Sequence, residues 1–308
     1  IEGRGFGPVG HATSVRLMYQ QSTFTSARTK RPTLPTFYAV DCRVLSDQSM
    51  ACKTGIGVGY NLTYKVEIEG QHSDQANNAV TGAKALGREP SHKGGAYSRP
   101  TLSTVTQIDG NSIYNANTRG YELVLIKGTN FGPIESWNPV TATFGLPPLS
   151  PGAAEQQFSA LACNVTRAHL EITCLTSQGA GSKHQWKVQV AGLKSVLAET
   201  SFGKPNIVSI EATNAAGSKI SVHALSSRGG ETVTLLGSNF GPAGKSSIYL
   251  KSVTYGVTGV ENICINAKVI NHETVTCKTS EGTGKGLIFT INVLGQIGLS
   301  DVTVSYAP

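Results

Sequence analysis

The 308-residue sequence is poor in charged residues, in aromatic residues and in long apolar runs. Charged residues make up 15% of the chain and aromatic residues 7%, whereas glycine occurs 35 times. No run of about 18 apolar residues is present, so we expect no insertion of this segment into a membrane. Because acidic residues number only 19 and neither a nucleophile elbow nor a paired-carboxylate motif stands out, we predict that the protein is not an enzyme.

Recognisable metal and nucleotide sites are also missing. Zinc sites need cysteine or Cys/His clusters about two to four residues apart, and none occurs. The seven histidines are scattered without a recurrent place, so we interpret them as surface residues. Glycine-rich residues 54–61 and 282–286 resemble nucleotide loops, but they lack the strand-to-helix context that holds a phosphate. We therefore expect no cofactor.

The sequence does contain one motif three times, as IEGRGFGP from Ile1, IKGTNFGP from Ile126 and LLGSNFGP from Leu235. IEGR is also a tag-removal protease site, but the recurrence favours the first copy of a repeat over an expression scar. We interpret the motif as a repeated turn. Its residues are Gly3, Phe6, Gly7, Pro8, Gly128, Phe131, Gly132, Pro133, Gly237, Phe240, Gly241 and Pro242.

A second block follows each copy in constant register. Counted from Cys52, Cys174 or Cys277, threonine comes at two residues, glycine at five and seven, β-branched apolar residues at fourteen and sixteen, and glycine at eighteen. The apolar residues alternate with polar ones, which indicates a half-buried strand. Because glycines precede that strand, we interpret the block as a hairpin.

Proline-led apolar runs at Pro100 and Pro205 predict the first strand of a new unit. We therefore predict three domains, here called the first repeat (1–99), the second repeat (100–204) and the third repeat (205–308). The first repeat has only two residues before Gly3, so we expect it to lack its opening strand. The missing initiator methionine suggests a mature fragment or a window of a longer chain.

The repeated Gly-Phe-Gly-Pro motif, the cysteine pairs, C-x-T, G-x-G and V-x-V-x-G together resemble the IPT/TIG domain of plexins, related receptors and some transcription factors. The resemblance covers essentially the whole chain. It implies an all-β fold of three tandem immunoglobulin-like β-sandwiches, the first lacking its opening strand.

The six cysteines form three close pairs, predicting disulfides Cys42–Cys52, Cys163–Cys174 and Cys264–Cys277. Such pairs indicate an oxidising, extracellular or cell-surface location. Sequons at Asn61 and Asn164 then predict N-glycosylation. Residues 23–36 and 144–152 are interpreted as exposed loops that carry O-linked sugars or are plain solvated segments. Their candidate acceptors are Thr23, Thr25, Ser26, Thr33, Thr36 and Ser150.

We therefore predict an extracellular structural or adhesive glycoprotein. Its subunits would join end to end into a filament, with material after Pro308 completing the first repeat of the next copy. Other surface proteins or glycans are further possible partners. The alternative is the ligand-binding stalk of a plexin-like receptor. The net charge of +7 suits nucleic acid, but disulfides and occupied sequons do not fit a nuclear protein, so we expect no nucleic-acid partner.

Overall fold

The computed structural model describes residues 1–10, 14–21, 34–73, 95–135, 137–146, 156–195, 199–244 and 246–308. Strands dominate these residues, as the composition predicts, and the helix among them, α1 (Ser246–Tyr249), has four residues. The all-β prediction is therefore confirmed.

The second repeat shows the arrangement most completely. Its strands are β7 (Thr101–Gln107), β8 (Leu123–Thr129), β9 (Val140–Leu146), β10 (Gln156–Ser159), β11 (Leu161–Arg167), β12 (Glu171–Leu175), β13 (His184–Val190), β14 (Leu193–Lys194) and β15 (Glu199–Thr200). One sheet has the order β11-β12-β8-β7, and the other has the order β10-β9-β13-β14 with β15 beside β13. Buried side chains of both sheets meet in one core, which makes this unit a β-sandwich.

The third repeat has the same plan. Its strands are β16 (Asn206–Thr213), β17 (Lys219–Ile220), β18 (Thr232–Ser238), β19 (Leu250–Gly256), β20 (Asn262–Ile263), β21 (Ile265–Asn271), β22 (Thr274–Lys278), β23 (Leu287–Val293) and β24 (Gln296–Val304). The order β21-β22-β18-β16 continues into β24-β23-β19-β20 through a parallel contact between Ile207 and Ser300. Strands β7 and β16 begin directly after Pro100 and Pro205, as the proline-led runs predict.

The first repeat is less complete among the described residues. Its strands are β1 (Val15–Gln21), β2 (Phe37–Tyr38), β3 (Val40–Ser46), β4 (Ser49–Lys53), β5 (Leu62–Ile68) and β6 (Gln71–His72). The order β2-β1-β5-β6 matches one sheet of the second repeat, but the other sheet holds only β3 and β4. A small separate core fills this end, built from Phe6, Leu17, Val44, Met50 and Val66.

The hairpin interpretation of the block after each second cysteine is wrong. Strands β12 and β13 lie in different sheets, so the glycines between them carry the chain across the sandwich. The hairpin turn lies one strand later, at the closing glycine, where Gly192 joins β13 to β14 at a φ of 89°. Period-two alternation predicts the strand β13 correctly but not its partner, because pairing depends on distant residues.

The loop interpretation of residues 144–152 is also wrong at its start. Phe144 belongs to β9 and stacks on Trp186 of β13, with ring centroids 4.5 Å apart. Residues 147–152 lie outside the described part of the structure. Three prolines and one serine follow within residues 147–151, so composition predicted a loop and did not reveal that Phe144 is a core residue.

Candidate functional site

The Gly-Phe-Gly-Pro motif is a packing device that ends a strand. Gly128 in β8 and Gly237 in β18 lie against the carbonyl groups of Thr101 and Asn206, so a Cβ atom there would collide with the neighbouring strand. The phenylalanine three residues later folds back over each glycine and is fully buried. The next glycine has a left-handed backbone, with φ of 83° at Gly132. The same folding back brings Phe6 onto Gly3 in the first repeat, at 2.7 Å from a Cβ placed there.

The glycine five residues after each second cysteine makes room for an aromatic ring. A Cβ on Gly282 would lie 2.8 Å from the hydroxyl of Tyr306, and a Cβ on Gly57 would lie 2.5 Å from that of Tyr97. Each tyrosine hydroxyl bonds a second tyrosine hydroxyl, Tyr255 at 2.6 Å and Tyr19 at 2.7 Å. Burial raises the pKa of Tyr306, and the hydrogen bond to Tyr255 raises it further. These two tyrosine pairs could not be predicted from the repeat, because Tyr255 and Tyr19 lie in its variable part, between the Gly-Phe-Gly-Pro motif and the first cysteine.

All three predicted disulfides are present, joining Cys42 to Cys52, Cys163 to Cys174 and Cys264 to Cys277. The first two link the adjacent strands β3 and β4 and the adjacent strands β11 and β12, and the third links Cys264, directly before β21, to β22. They therefore fasten the same edge of every repeat.

The contact between the second and third repeats combines polar and apolar groups. Gln296 donates from its side-chain amide to the carbonyl oxygen of Phe202, 2.9 Å away in a buried position. His272 and Thr118 share a hydrogen bond of 3.0 Å between Nδ1 and Oγ1. Arg119 forms an ion pair with Glu273. Burial lowers the pKa of His272, and the charge of Arg119 lowers it further, so this histidine is neutral at pH 7.

The contact between the first and second repeats is mainly apolar. Phe37 meets Trp137 with ring centroids 5.5 Å apart. Val58 reaches Gly132, and Tyr60 lies against Gly192, 2.7 Å from a Cβ placed there. Glycine at these points lets the two repeats approach closely.

The interpretation of the histidines needs two corrections. His184 is fully buried among the rings of Phe144, Phe158 and Phe202, and burial lowers its pKa. His169 and His272 both stand five residues before the second cysteine of their repeats, so they do share a place. The first repeat has Asp47 there. The substitution by aspartate hides the recurrence when histidines alone are compared.

Strand β4 presents an open edge among the described residues. In the second repeat, β12 pairs with β8 along its whole length, including Cys174 with Val124. In the first repeat, Ile1 and Met50 exchange two backbone hydrogen bonds of 2.9 and 3.0 Å. Beyond Met50, no strand in the described part of the chain pairs with Cys52 on this edge. The edge therefore exposes unpaired backbone groups.

The predicted sugar sites lie in different settings. Asn164 is exposed on β11, and Asn61 is half-buried with a left-handed φ of 51°. Thr36 is exposed before β2. Thr23, Thr25, Ser26, Thr33 and Ser150 fall outside the described residues.

In the described part of the chain, no group of three or more His, Cys, Asp or Glu side chains could hold a metal ion. No helix in it is long and apolar enough to cross a membrane.

The family model of the IPT/TIG domain matches residues 217–306. No curated protein matches the sequence significantly. Among solved structures, SGBP-B from a xyloglucan utilization locus of Bacteroides uniformis is 16% identical over 68% of this chain and 50% of its own, with a TM-score of 0.26. The plexin A4 extracellular region is 11% identical over 95% of this chain and 36% of its own, with a TM-score of 0.27.

The Escherichia coli adhesin FdeC is 10% identical over 88% of this chain and 81% of its own, with a TM-score of 0.25. The chain thus spans half of SGBP-B and about a third of the plexin region. The family match confirms the resemblance to the IPT/TIG domain over residues 217–306, within the third repeat.

Proposed function

We propose that this chain is a non-enzymatic extracellular glycoprotein, built as a rod of three IPT/TIG-like domains that assembles end to end into a filament. The three disulfides fit an oxidising compartment. The contacts between successive repeats fit a rod. In this proposal the boundaries lie at residues 1–99, 100–204 and 205–308.

The open edge of β4 carries the proposal. The equivalent strands β12 and β22 are paired on both sides. Among the described residues, β4 has β3 as its strand partner, and on its other edge only Ile1 and Glu2 pair with its first two residues. An unpaired edge of this kind accepts an added strand, because main-chain hydrogen bonds supply affinity and alternate side chains supply register. We propose that the strand comes from another copy of the chain, from material that follows Pro308.

A synthetic peptide tests this edge directly. Residues 117–125 contain the part of β8 that pairs with β12 at Cys174 and Leu175, so this peptide is the natural probe for the equivalent place beside Cys52. We expect it to slow hydrogen exchange at the backbone amide of Cys52, and a scrambled peptide of the same composition to have no effect. Equal exchange with both peptides would overturn strand completion and favour the receptor-stalk alternative.

The glycoprotein part of the proposal has its own test. We propose N-linked sugars on Asn61 and Asn164 and O-linked sugars on the threonine and serine residues of segments 23–36 and 147–152. The intact mass of the denatured native subunit should fall when its sugars are removed enzymatically. A mass that deglycosylation leaves unchanged would contradict this part.

A groove at the junction of the second and third repeats supports glycans as further partners. It has a volume of about 760 Å³ and is lined by Asn115, Asn206, Asn239 and Tyr114, whose side chain is 63% exposed. Amides beside an exposed aromatic ring suit a neutral sugar. Tyr114→Ala should lower retention on a neutral oligosaccharide array, whereas Tyr121→Ala, at another exposed tyrosine, should not. Retention that both variants leave unchanged would contradict a sugar site here.

A further inference from the structure

The third repeat carries, at its far end, the same structural elements with which the second repeat holds the third. Resting on the proposed end-to-end assembly, we propose that this end binds the first repeat of a second copy in the arrangement of the internal junction. We call residues 226–231, 257–263 and 281–286 the donor pole. We call residues 47, 48 and 69–71 the acceptor pole.

The internal junction defines both sides of such a contact. On the second repeat, the loop of residues 117–122 presents Thr118 and Arg119. On the third repeat, the turn between β21 and β22 presents His272 and Glu273, and the start of β24 presents Gln296. One repeat therefore offers a basic loop and the next offers an acidic turn.

The loop of the donor pole has the same backbone frame as the loop in the second repeat. Asn117 donates from its backbone to the Glu122 carboxylate at 3.0 Å, and Ser226 donates to that of Glu231 at 2.8 Å. The following glycines, Gly120 and Gly229, pack against equivalent serine carbonyl groups. Arg228 therefore occupies the same position in the donor pole as Arg119 occupies in the loop of the second repeat. From that position Arg119 reaches Glu273.

The acceptor pole repeats the other side of the junction. Phe6 donates its backbone N–H to the carbonyl of Asp47 at 3.0 Å, as Phe240 does to that of His272 at 3.0 Å. Asp47 thus occupies the place of His272, and Gln48 occupies that of Glu273. In a matching contact the carboxylate for Arg228 comes from Asp47, one residue before the position that pairs with Arg119. Gln71 occupies the place of Gln296, nineteen residues after the second cysteine, and is exposed on β6. It would donate to the carbonyl of Tyr306 in the neighbouring copy, as Gln296 donates to Phe202.

The donor pole exposes three apolar side chains. Val257, Val260 and Ile263 are 71%, 65% and 67% exposed. Val257 and Val260 lie in the loop between β19 and β20, and Ile263 is the last residue of β20. In the second repeat the equivalent strand β10 supplies Phe158, whose ring meets Tyr249 of the third repeat with centroids 6.0 Å apart. The surface that is covered in the internal junction is therefore exposed and apolar here.

The two poles place opposite charges at matched positions. The donor pole carries Arg228 and Lys285 together with Glu231, Glu261 and Glu281, and the acceptor pole carries Asp47 and Glu69. Glu231 and Glu261 accept hydrogen bonds from the backbone of the donor pole itself. Glu69 stands where the third repeat has Leu294, which lies 3.2 Å from a Cβ placed on Gly181. The equivalent of Gly181 is Gly284, next to Lys285. The carboxylate of Glu69 also accepts a hydrogen bond from the Ser14 backbone at 2.8 Å, which holds it at this end.

A charge swap on the full chain tests the contact. In sedimentation velocity over a concentration series, the unaltered chain should self-associate. Arg228→Glu should weaken the association about tenfold or more, and so should Asp47→Arg. An equimolar mixture of these two variants should then form dimers. The donor pole that carries Arg228→Glu is acidic at this position, and it can pair with the acceptor pole that carries Asp47→Arg, which is basic. Lys268→Glu, on an exposed part of β21 away from the pole, should associate like the unaltered chain.

Three outcomes would overturn the pole contact. They are a chain that stays monomeric, an Arg228→Glu variant that associates normally, and a mixture that does not recover association. Gln71→Leu gives an uncharged check and should also weaken the association. If the pole variants have no effect while the peptide of residues 117–125 still protects Cys52, the pole contact is wrong and strand completion stands. If the peptide fails as well, the proposed assembly itself is wrong.

Discussion

The side-chain amide of Gln296 reaches across the internal junction and donates to the carbonyl oxygen of Phe202 at 2.9 Å. This bond is buried, whereas the ion pair of Arg119 with Glu273 beside it is exposed. A buried hydrogen bond is costly to break because the remaining partner cannot turn to water, while an exposed ion pair contributes little. The geometry of the junction therefore depends on Gln296 more than on the charges.

Gln296→Leu should loosen the junction. The Phe202 carbonyl would stay buried without a donor, which costs about 1–3 kcal/mol. We expect faster hydrogen exchange in residues 199–205 and a lower free energy of unfolding in urea. Gln71→Leu is the matched control at the equivalent exposed position, and it should leave both quantities unchanged at concentrations where the chain is monomeric. Equal effects of the two substitutions would contradict the role given to Gln296.

Gly237→Ala should destabilise the third repeat through steric overlap. The added methyl group would collide with the carbonyl of Asn206 and approach the ring of Phe240 to 2.9 Å. Overpacking of this kind costs about 1–3 kcal/mol or more. Gly217→Ala is the control, because that glycine has a left-handed φ of 80° and open space around it. It should lose only about 1 kcal/mol from backbone strain. Thermal unfolding measures both, and a smaller loss at Gly237 would refute the packing account.

Tyr306→Phe should lower the free energy of unfolding by about 1 kcal/mol. The hydroxyl removed bonds the Tyr255 hydroxyl at 2.6 Å and donates to the Ser280 carbonyl at 2.8 Å. Tyr121→Phe removes an exposed hydroxyl and serves as the control. Chemical denaturation compares the two variants, and identical stabilities would show that the tyrosine pair contributes nothing.

The second repeat should lose stability in mild acid because of His184. Burial holds its pKa below the ordinary value of 6.5 in the folded chain. Below about pH 6.5 the unfolded chain therefore binds a proton that the folded chain does not, and the free energy of unfolding falls as the pH falls. His184→Phe should flatten this dependence, whereas His223→Asn, at an exposed histidine, should not. A dependence as steep after His184→Phe as before it would contradict the assignment, because only the part contributed by His272, whose pKa burial also lowers, should remain.

Local chemistry was largely predictable from the sequence. The two cysteines of each pair are 10 to 13 residues apart and lie in or next to neighbouring strands, so their spacing identified the disulfides. The alternation around Trp186 predicted the strand β13, and Pro100 and Pro205 predicted the starts of β7 and β16.

The pairing of strands that are distant in the sequence, and the burial of individual side chains, could not be predicted in the same way. Whether β13 pairs with β12 or β9 is decided by the core, not by the glycines between them. Phe144 was predicted to lie in a loop because prolines follow it, but it belongs to β9. His184 was predicted to be a surface residue, but it is buried, and residue type alone does not reveal burial. The open edge of β4 requires knowing which strand should lie beside it, and only the comparison with β12 shows that.

Electron cryo-microscopy of the native material tests the central claim most directly. The account predicts filaments in which the third repeat of one subunit meets the first repeat of the next. A strand from the neighbouring subunit should lie beside Cys52, and Arg228 should face Asp47 across the contact. Single particles in which residues of the same polypeptide fill the edge of β4, with the donor pole exposed to solvent, would contradict it.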